Sequence, residues 1–281
     1  MDLPYIYSPR SGTEIAGTQS IGRAAALLRV IATRNTIGLR LSELVTATGL
    51  ERPTVRRILQ GLIHEGFVRQ ATSTHRYFLG RALFELGLVA SPDFDVRGLC
   101  APSLNRIIKA TGDTAFLTMR SAFDSVCIDR YEGSYPVRAL TVEIGARRAL
   151  GSTAGGLALL SYLPDTEVDA IISANAQRLP RYGALNASRL RMMVARARKL
   201  GYALNQNDII EGVTGVGFAL RGPPNVPDLA LSVAAISSRL NDDRQKEVAA
   251  VLRTEANIIM KRITKWASVP SANEVPNVRD R

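Results

Sequence analysis

The stretch that most restricts how this chain can fold lies in its first quarter. Val55, Ile58, Leu59, Leu62 and Ile63 fall at i, i+3, i+4, i+7 and i+8, a single apolar stripe down one side of a helix. Pro53 stands where a helix first turn tolerates it, and Gly66 stands where a helix ends. Ahead of this helix, Ile21, Ala24, Leu28 and Ile31 recur at helical spacing. A shorter pattern, Leu41, Leu44 and Val45, stops at the turn Ala47-Thr48-Gly49-Leu50. Behind it, Phe67 to Gln70 and Arg76 to Leu79 read as two short strands around Ala71-Thr72-Ser73-Thr74. Three helices followed by a hairpin predict a winged helix-turn-helix.

Charge gives that module a partner. The chain of 281 residues has 36 Lys+Arg against 25 Asp+Glu, a formal net charge of +11, and most of its basic side chains are arginines. Ten arginines fall between Ser20 and Arg81 against Glu43, Glu51 and Glu65, so this segment alone carries +7. A local basic excess on a helix-turn-helix is the electrostatic footprint of a nucleic-acid module. On the third helix, Arg52, Thr54, Arg56, Arg57 and Gln60 lie off the apolar stripe. From there Arg56 or Arg57 can meet guanine O6 and N7, and Thr54 a phosphate or a thymine methyl. His64 reads as a surface residue. Thr72, Ser73, Thr74, His75 and Arg76 at the hairpin tip suit a phosphate backbone or a minor groove. Ser20 and Arg23 can anchor a phosphate at the start of the first helix.

Arg81 to Ala90 is a strongly apolar helix through Leu83, Phe84, Leu86 and Leu88, broken by Ser91-Pro92. Placed between two modules, it is expected to pack against a second copy of the chain. Beyond it the segment types alternate. A helix is expected over Val96 to Ala110, and strands near Ala115 to Met119, Val126 to Tyr131 and Val137 to Ile144. A helix over Leu157 to Leu163 and another over Ser188 to Leu200 follow. Strands resume at Tyr202, at Val216 to Leu220 and at Leu229 to Ala235, with a Pro223-Pro224-Asn225 turn, and a long helix spans Asp242 to Trp266. A mixed sheet is implied. The expected class is α+β: an amino-terminal extension (1–18), a winged helix-turn-helix (19–80), a connector helix (81–92), an α/β domain (93–267) and a carboxy-terminal tail (268–281), both end segments being loose.

The inventory argues against catalysis. No histidine follows His75, no Gly-x-Ser-x-Gly or His-Glu-x-x-His occurs, and Cys100 and Cys127 read as small core residues, so no metal or cofactor is expected. Asp208 and Glu211 read as solvated carboxylates. The run Gly151-Ser152-Thr153-Ala154-Gly155-Gly156 lacks the lysine of a phosphate loop, Leu157 standing there, yet its amides at a helix start can hold a carboxylate; close packing of helix on sheet explains the glycines equally well. No apolar run is long enough to span a membrane and no signal-peptide order opens the chain, so a cytoplasmic location is expected. Two other classes stay open: an enzyme with a basic interaction module, and a nonspecific nucleic-acid-binding protein without a ligand.

Several of these segments resemble the IclR-type bacterial transcription regulators, over nearly everything from Gln19 to about Trp266. They are Gln19-Ser20-Ile21-Gly22-Arg23-Ala24, Thr54-Val55-Arg56-Arg57-Ile58-Leu59 with Gly66-Phe67-Val68, Tyr131 to Arg138, Gly145, the start of the Gly151 to Leu160 helix, Gly201-Tyr202 and Glu211-Gly212. The resemblance implies a GAF-like effector-binding domain, an operator of double-stranded DNA, homodimers and often dimers of dimers, and a small organic-acid or aromatic effector. It implies an apolar pocket wall at Val137, Leu140 and Val213, a backbone cradle at Ala154 and Gly155, and polar positions at Asn205, Gly215 and Ser232. The chain departs from the family where Gly151, Leu157, Asn205 and Ala234 replace the histidine, lysine, acid and second serine often found there, and where Pro53 replaces a small hydroxyl residue.

Overall fold

The computed structural model describes residues 17–90, 95–222 and 226–267. Most of the two terminal segments, the Ser91-Pro92 break and the Pro223-Pro224-Asn225 turn lie outside them. The chain divides into two compact units between Pro92 and Asp93.

The first unit comprises α1 (Gln19–Ala32), α2 (Leu41–Thr48), α3 (Arg52–His64), β1 (Val68–Gln70), β2 (Tyr77–Leu79) and α4 (Arg81–Ala90). Leu27, Val30 and Ile31 of α1, Leu44 of α2 and Val55 and Leu59 of α3 meet in one core. Gly49 ends α2 at φ 66°, a left-handed conformation that glycine adopts without strain, and this sets the turn into α3. The Glu43 carboxylate accepts from the Arg40 amide at 2.7 Å and caps the start of α2. β1 and β2 pair antiparallel, and Leu39 adds a bridge to Tyr77. Two expected core positions differ. Ile21 is exposed because the buried face of α1 begins only at Ala26, and Ile63 at the end of the α3 stripe is half in solvent beside the buried Leu62.

The second unit is built on six strands: β3 (Thr114–Ser121), β4 (Asp124–Tyr131), β5 (Arg147–Ala149), β6 (Ala203–Gln206), β7 (Val213–Leu220) and β8 (Leu229–Ile236), in the order β5-β4-β3-β8-β7-β6. Every pairing is antiparallel, which corrects the expected mixed sheet: hairpins join β3 to β4 and β7 to β8, and no crossover sets two neighbours parallel. Strand alternation divides the residues between two faces. On one, Leu117, Leu231 and Val233 pack with Leu104 and Ile107 of α5 (Val96–Thr111) and Leu252 and Ile259 of α9 (Asp242–Ala267). On the other, Ala203, Ala219 and Ala230 pack with Leu157 and Leu160 of α6 (Ala154–Ser161), Ile171 of α7 (Asp165–Asn175) and Leu190 of α8 (Ala187–Leu200).

The expected strand over Val137 to Ile144 does not form. The edge position beside β4 is taken by β5, with Val126 opposite Arg147, and residues 137–144 run as irregular chain with Val137 and Leu140 exposed. α6 starts three residues before the expected Leu157, because the Thr153 hydroxyl accepts from the Gly156 amide at 2.9 Å and fixes the first turn at Ala154.

Candidate DNA interface and ligand pocket

In α3, burying Val55, Leu59 and Leu62 leaves Arg52, Arg56, Arg57 and Gln60 exposed and Thr54 half-buried. Among the described residues, no hydrogen bond or ion pair engages the guanidinium groups of Arg52, Arg56 or Arg57. Thr72, Ser73, Thr74 and His75 are exposed at the hairpin tip, where the His75 amide donates to the Ala71 carbonyl at 2.8 Å. Arg76 is placed differently. Its guanidinium donates to the Gly38 carbonyl at 2.8 Å and pairs with Glu43 at 3.5 Å, tying the hairpin to α2. Arg69 on β1 is exposed and lies over the Phe78 ring at 4.3 Å, a basic wing position that the sequence reading had not singled out. Ser20 is exposed and Arg23 half-buried on α1.

In the second unit a cavity open to solvent at one side lies on the sheet face that carries α6. Strand register explains its floor. Asn205 pairs with Gly215 and Gly215 with Ala234, while Gly217 pairs with Ser232 and Ser232 with Phe116, so these residues form two rows across the sheet. Both glycines admit the start of α6: a Cβ on Gly215 would come within 2.9 Å of the Ala154 Cβ, and one on Gly217 within 2.2 Å of the Ala154 carbonyl oxygen. Thus Ala154, Asn205, Val213, Gly215 and Ser232, drawn from four separate segments, line one cavity. Gly155 sits just behind the wall, where a Cβ would lie 2.7 Å from Thr118 Oγ1 and 3.4 Å from Ser232 Oγ. Val137 and Leu140 are not on the wall; Thr141 and Val142, a little further along the same irregular segment, are.

The wall has unsatisfied polar groups. Thr118 and Ser232 are each 6 % exposed, and among the described residues their hydroxyls have no hydrogen-bond partner. The Asn205 Oδ1 atom is buried without a partner. Buried polar atoms normally find partners, so the orphaned Asn205 oxygen, with two free hydroxyls lining the same cavity, points to a ligand or water. Cys127 also faces the cavity. Burial pushes its thiol, like that of Cys100, up to about 12, which keeps both cysteines protonated near neutral pH. Arg148 on β5, absent from the sequence-derived set, is a further wall residue.

Asp208, expected to be solvated, is instead 3 % exposed and heavily bonded, which corrects that reading. It accepts from Arg189 at 2.7 Å and 3.0 Å, from Arg196 at 3.0 Å and from the Gln206 amide at 2.9 Å. It thereby fixes the segment carrying Ile209 and Ile210, which roof the cavity. Among the described residues no group of three or more His, Cys, Asp or Glu is placed to hold a metal ion, and no helix is long and apolar enough to cross a membrane.

Comparison with known proteins accounts for both units. The IclR helix-turn-helix domain matches residues 20–72, and the carboxy-terminal domain of the bacterial transcriptional regulator IclR matches residues 90–261. The HTH-type transcriptional regulator KipR of Bacillus subtilis is 24 % identical over 226 residues, covering 80 % of this chain and 90 % of that protein. The acetate operon repressor of Salmonella typhimurium is 26 % identical over 237 residues, covering 83 % and 86 %. Among solved structures, an IclR transcriptional regulator from Silicibacter superposes with a TM-score of 0.73 at 23 % identity over 87 % of this chain and 96 % of that one. An IclR homolog from Microbacterium hydrocarbonoxydans, complexed with 4-hydroxybenzoate, does so at 0.68 and 19 % over 88 % and 99 %. With the helix-turn-helix and the six-stranded domain both matched in order along one chain, this protein belongs to the IclR family of bacterial transcriptional regulators.

Proposed function

We propose that this regulator binds a double-stranded operator through α3 and the β1–β2 hairpin, and that a small carboxylate bound in the cavity alters operator affinity. Arg52, Thr54, Arg56, Arg57 and Gln60 enter the major groove. Thr72 to His75 and the residues at the start of α1 contact the backbone, while Arg76 holds the hairpin in place. The observation that carries the ligand reading is the cavity wall, where the Thr118 and Ser232 hydroxyls and the Asn205 carbonyl oxygen share one cavity and lack protein partners. The amide end of α6 stabilises negative charge there, and the hydroxybenzoate held by the Microbacterium homolog is an acid of suitable type. A ligand shifts operator binding only as far as its affinities for the two DNA-binding arrangements differ.

The working unit in this reading is a homodimer in the cytoplasm. Phe84, Leu86, Leu88 and Val89 of α4 are 66 %, 54 %, 60 % and 76 % exposed, an apolar surface that a second copy covers. Two winged helices related by a two-fold axis match a roughly palindromic operator.

The test is a gel-shift titration of the purified protein on the DNA upstream of its own gene, against scrambled duplex and RNA, together with a thermal-shift screen of organic acids. Preference for the upstream DNA and stabilisation by an acid are expected. Ala234→Leu, whose side chain enters the cavity, and Gly155→Leu, which crowds Thr118 and Ser232 from behind the wall, should abolish that stabilisation. Equal affinity for all three nucleic acids refutes the operator reading, and full stabilisation of both variants refutes the pocket.

A further inference from the structure

Among the described residues lining the cavity, Arg148 is the one charged side chain; the others are apolar, hydroxyl, thiol or amide groups. Its surroundings are unusual for an arginine of this chain. Arg147, beside it on β5, and Arg130, Arg178, Arg189 and Arg196, elsewhere in the same unit, each pair with a carboxylate. Arg148 has no such partner among the described residues: one terminal nitrogen donates to the Thr141 carbonyl at 3.1 Å, and the guanidinium stands 5.6 Å from the centre of the Tyr182 ring. Burial lowers its pKa below the ordinary guanidinium value, which is the mark of a desolvated charge that no acid compensates. A guanidinium has five N–H donors in a planar fork, and a single carbonyl leaves most of that fork available.

Strand register puts this charge beside the other positive feature of the pocket. Arg148 lies directly opposite Ser125 on the β4–β5 ladder, and a Cβ on Gly156 in the first turn of α6 would lie 3.0 Å from the Ser125 hydroxyl. The Arg148 position on β5 and the first turn of α6 thus flank the same cavity residue, Ser125, with the guanidinium reaching on to Thr141 of the wall. Asn205 belongs to β6, at the opposite edge of the sheet order.

We infer that Arg148 pairs with the anionic group of the ligand and sets its charge, so that the pocket selects a monoanion, a single carboxylate on an apolar body, over neutral and doubly charged molecules. The inference rests on the cavity being the effector site. A neutral ligand leaves the half-buried Arg148 charge without a counter-ion. A dianion places its second carboxylate among hydroxyl and apolar groups with no cation to meet it.

The probes are benzoate and butyrate, their amides, and the dianions terephthalate and succinate, titrated calorimetrically into the full-length protein. A monoanion should bind wild type at least tenfold more tightly than its own amide or the dianion of similar shape. Arg148→Gln should abolish that acid-over-amide preference, whereas Arg148→Lys should retain most of it. A merely structural role for Arg148 would weaken acid and amide alike and leave their ratio unchanged. Equal binding of acid and amide by wild type overturns the inference, as does an unaltered preference in Arg148→Gln or the failure of every monoanion to bind. If Arg148→Gln fails to fold, the wild-type selectivities and Arg148→Lys decide. Ala234→Leu separates the two levels of the argument. An amide bound by wild type and lost in Ala234→Leu leaves the pocket standing and removes the role of Arg148. An acid bound equally by both proteins removes the pocket.

Discussion

Replacing Asp208 with asparagine tests how the roof of the cavity is held. The carboxylate is 3 % exposed and receives three guanidinium N–H bonds, two from Arg189 and one from Arg196, with a fourth bond from the Gln206 amide. Asparagine preserves the volume and can still accept from Gln206, but it removes the charge that both arginines face. Breaking a fully buried ion pair costs about 3–5 kcal/mol. Here the arginine side chains are 42 % and 37 % exposed, so water replaces part of what they lose and the cost falls to roughly 2–3 kcal/mol. For a domain of this size each kcal/mol moves the midpoint by about 2–4 °C, so the carboxy-terminal unit should melt roughly 5–10 °C lower. Circular-dichroism melts at a fixed protein concentration measure this, the fixed concentration removing any contribution from subunit association. Ligand affinity should fall as well, since Ile209 and Ile210 follow Asp208 directly. A midpoint within about 1 °C of wild type would refute the assignment of Asp208 as the anchor of this segment.

Arg56→Ala and Arg57→Ala should each weaken operator binding by about 1–3 kcal/mol in gel-shift titrations and change scrambled DNA less. Wild-type affinity in both variants would exclude α3 from the groove. Leu88→Glu should shift the protein from dimer to monomer by light scattering at micromolar concentration, with a matching loss of operator affinity; a stable dimer would place the interface elsewhere. Glu255 on α9 is buried, which by itself raises its pKa, but hydrogen bonds from Arg106 at 2.7 Å and 2.8 Å and from Ser103, with the Arg106 charge, hold it below the ordinary value. A depressed folded pKa stabilises the protein above the unfolded value of about 4.3 and ceases to do so as pH falls through the folded value. Glu255→Gln should therefore be less stable than wild type to urea at pH 7, with the gap narrowing as pH drops below about 4; a gap independent of pH would disprove the linkage.

Sequence periodicity carried the helix-turn-helix because everything that fixes it is local. Pro53, Gly49 and Gly66 punctuate the helices, and the α3 stripe needs only one turn of neighbours to be visible. The second unit was less legible where ladders decide. Residues 137–144 alternate well enough for a strand, yet the edge of β4 accepts β5, a choice made by residues distant in sequence. α7 was missed although Val168, Ile171 and Ile172 sit at helical spacing, because the proline before it reads as a stop when it is in fact the residue preceding the first turn. Asn205, Gly215 and Ser232 carry no signal of their own and emerged only through the family resemblance; register brings them into adjoining rows. Arg148 had no signal at all, being one of two adjacent arginines whose opposite faces appear only once β5 is paired. Val137 and Leu140, carried over by resemblance, lie in irregular chain where Thr141 and Val142 line the cavity.

The two glycines of β7 have a consequence for how this pocket can change. Gly215 and Gly217 let the backbone of α6 rest almost directly on the sheet, so the depth of the floor is set by main chain, and any side chain there would push the helix away. Val142, Ile209 and Ile210 belong to segments outside the ladders, and their side chains can grow or shrink without altering strand register. The pocket thus has a rigid floor and an adjustable ceiling. Under selection for a new effector, substitutions should accumulate in the ceiling while the floor stays fixed, and a directed library aimed at ligand exchange is best confined to those three positions.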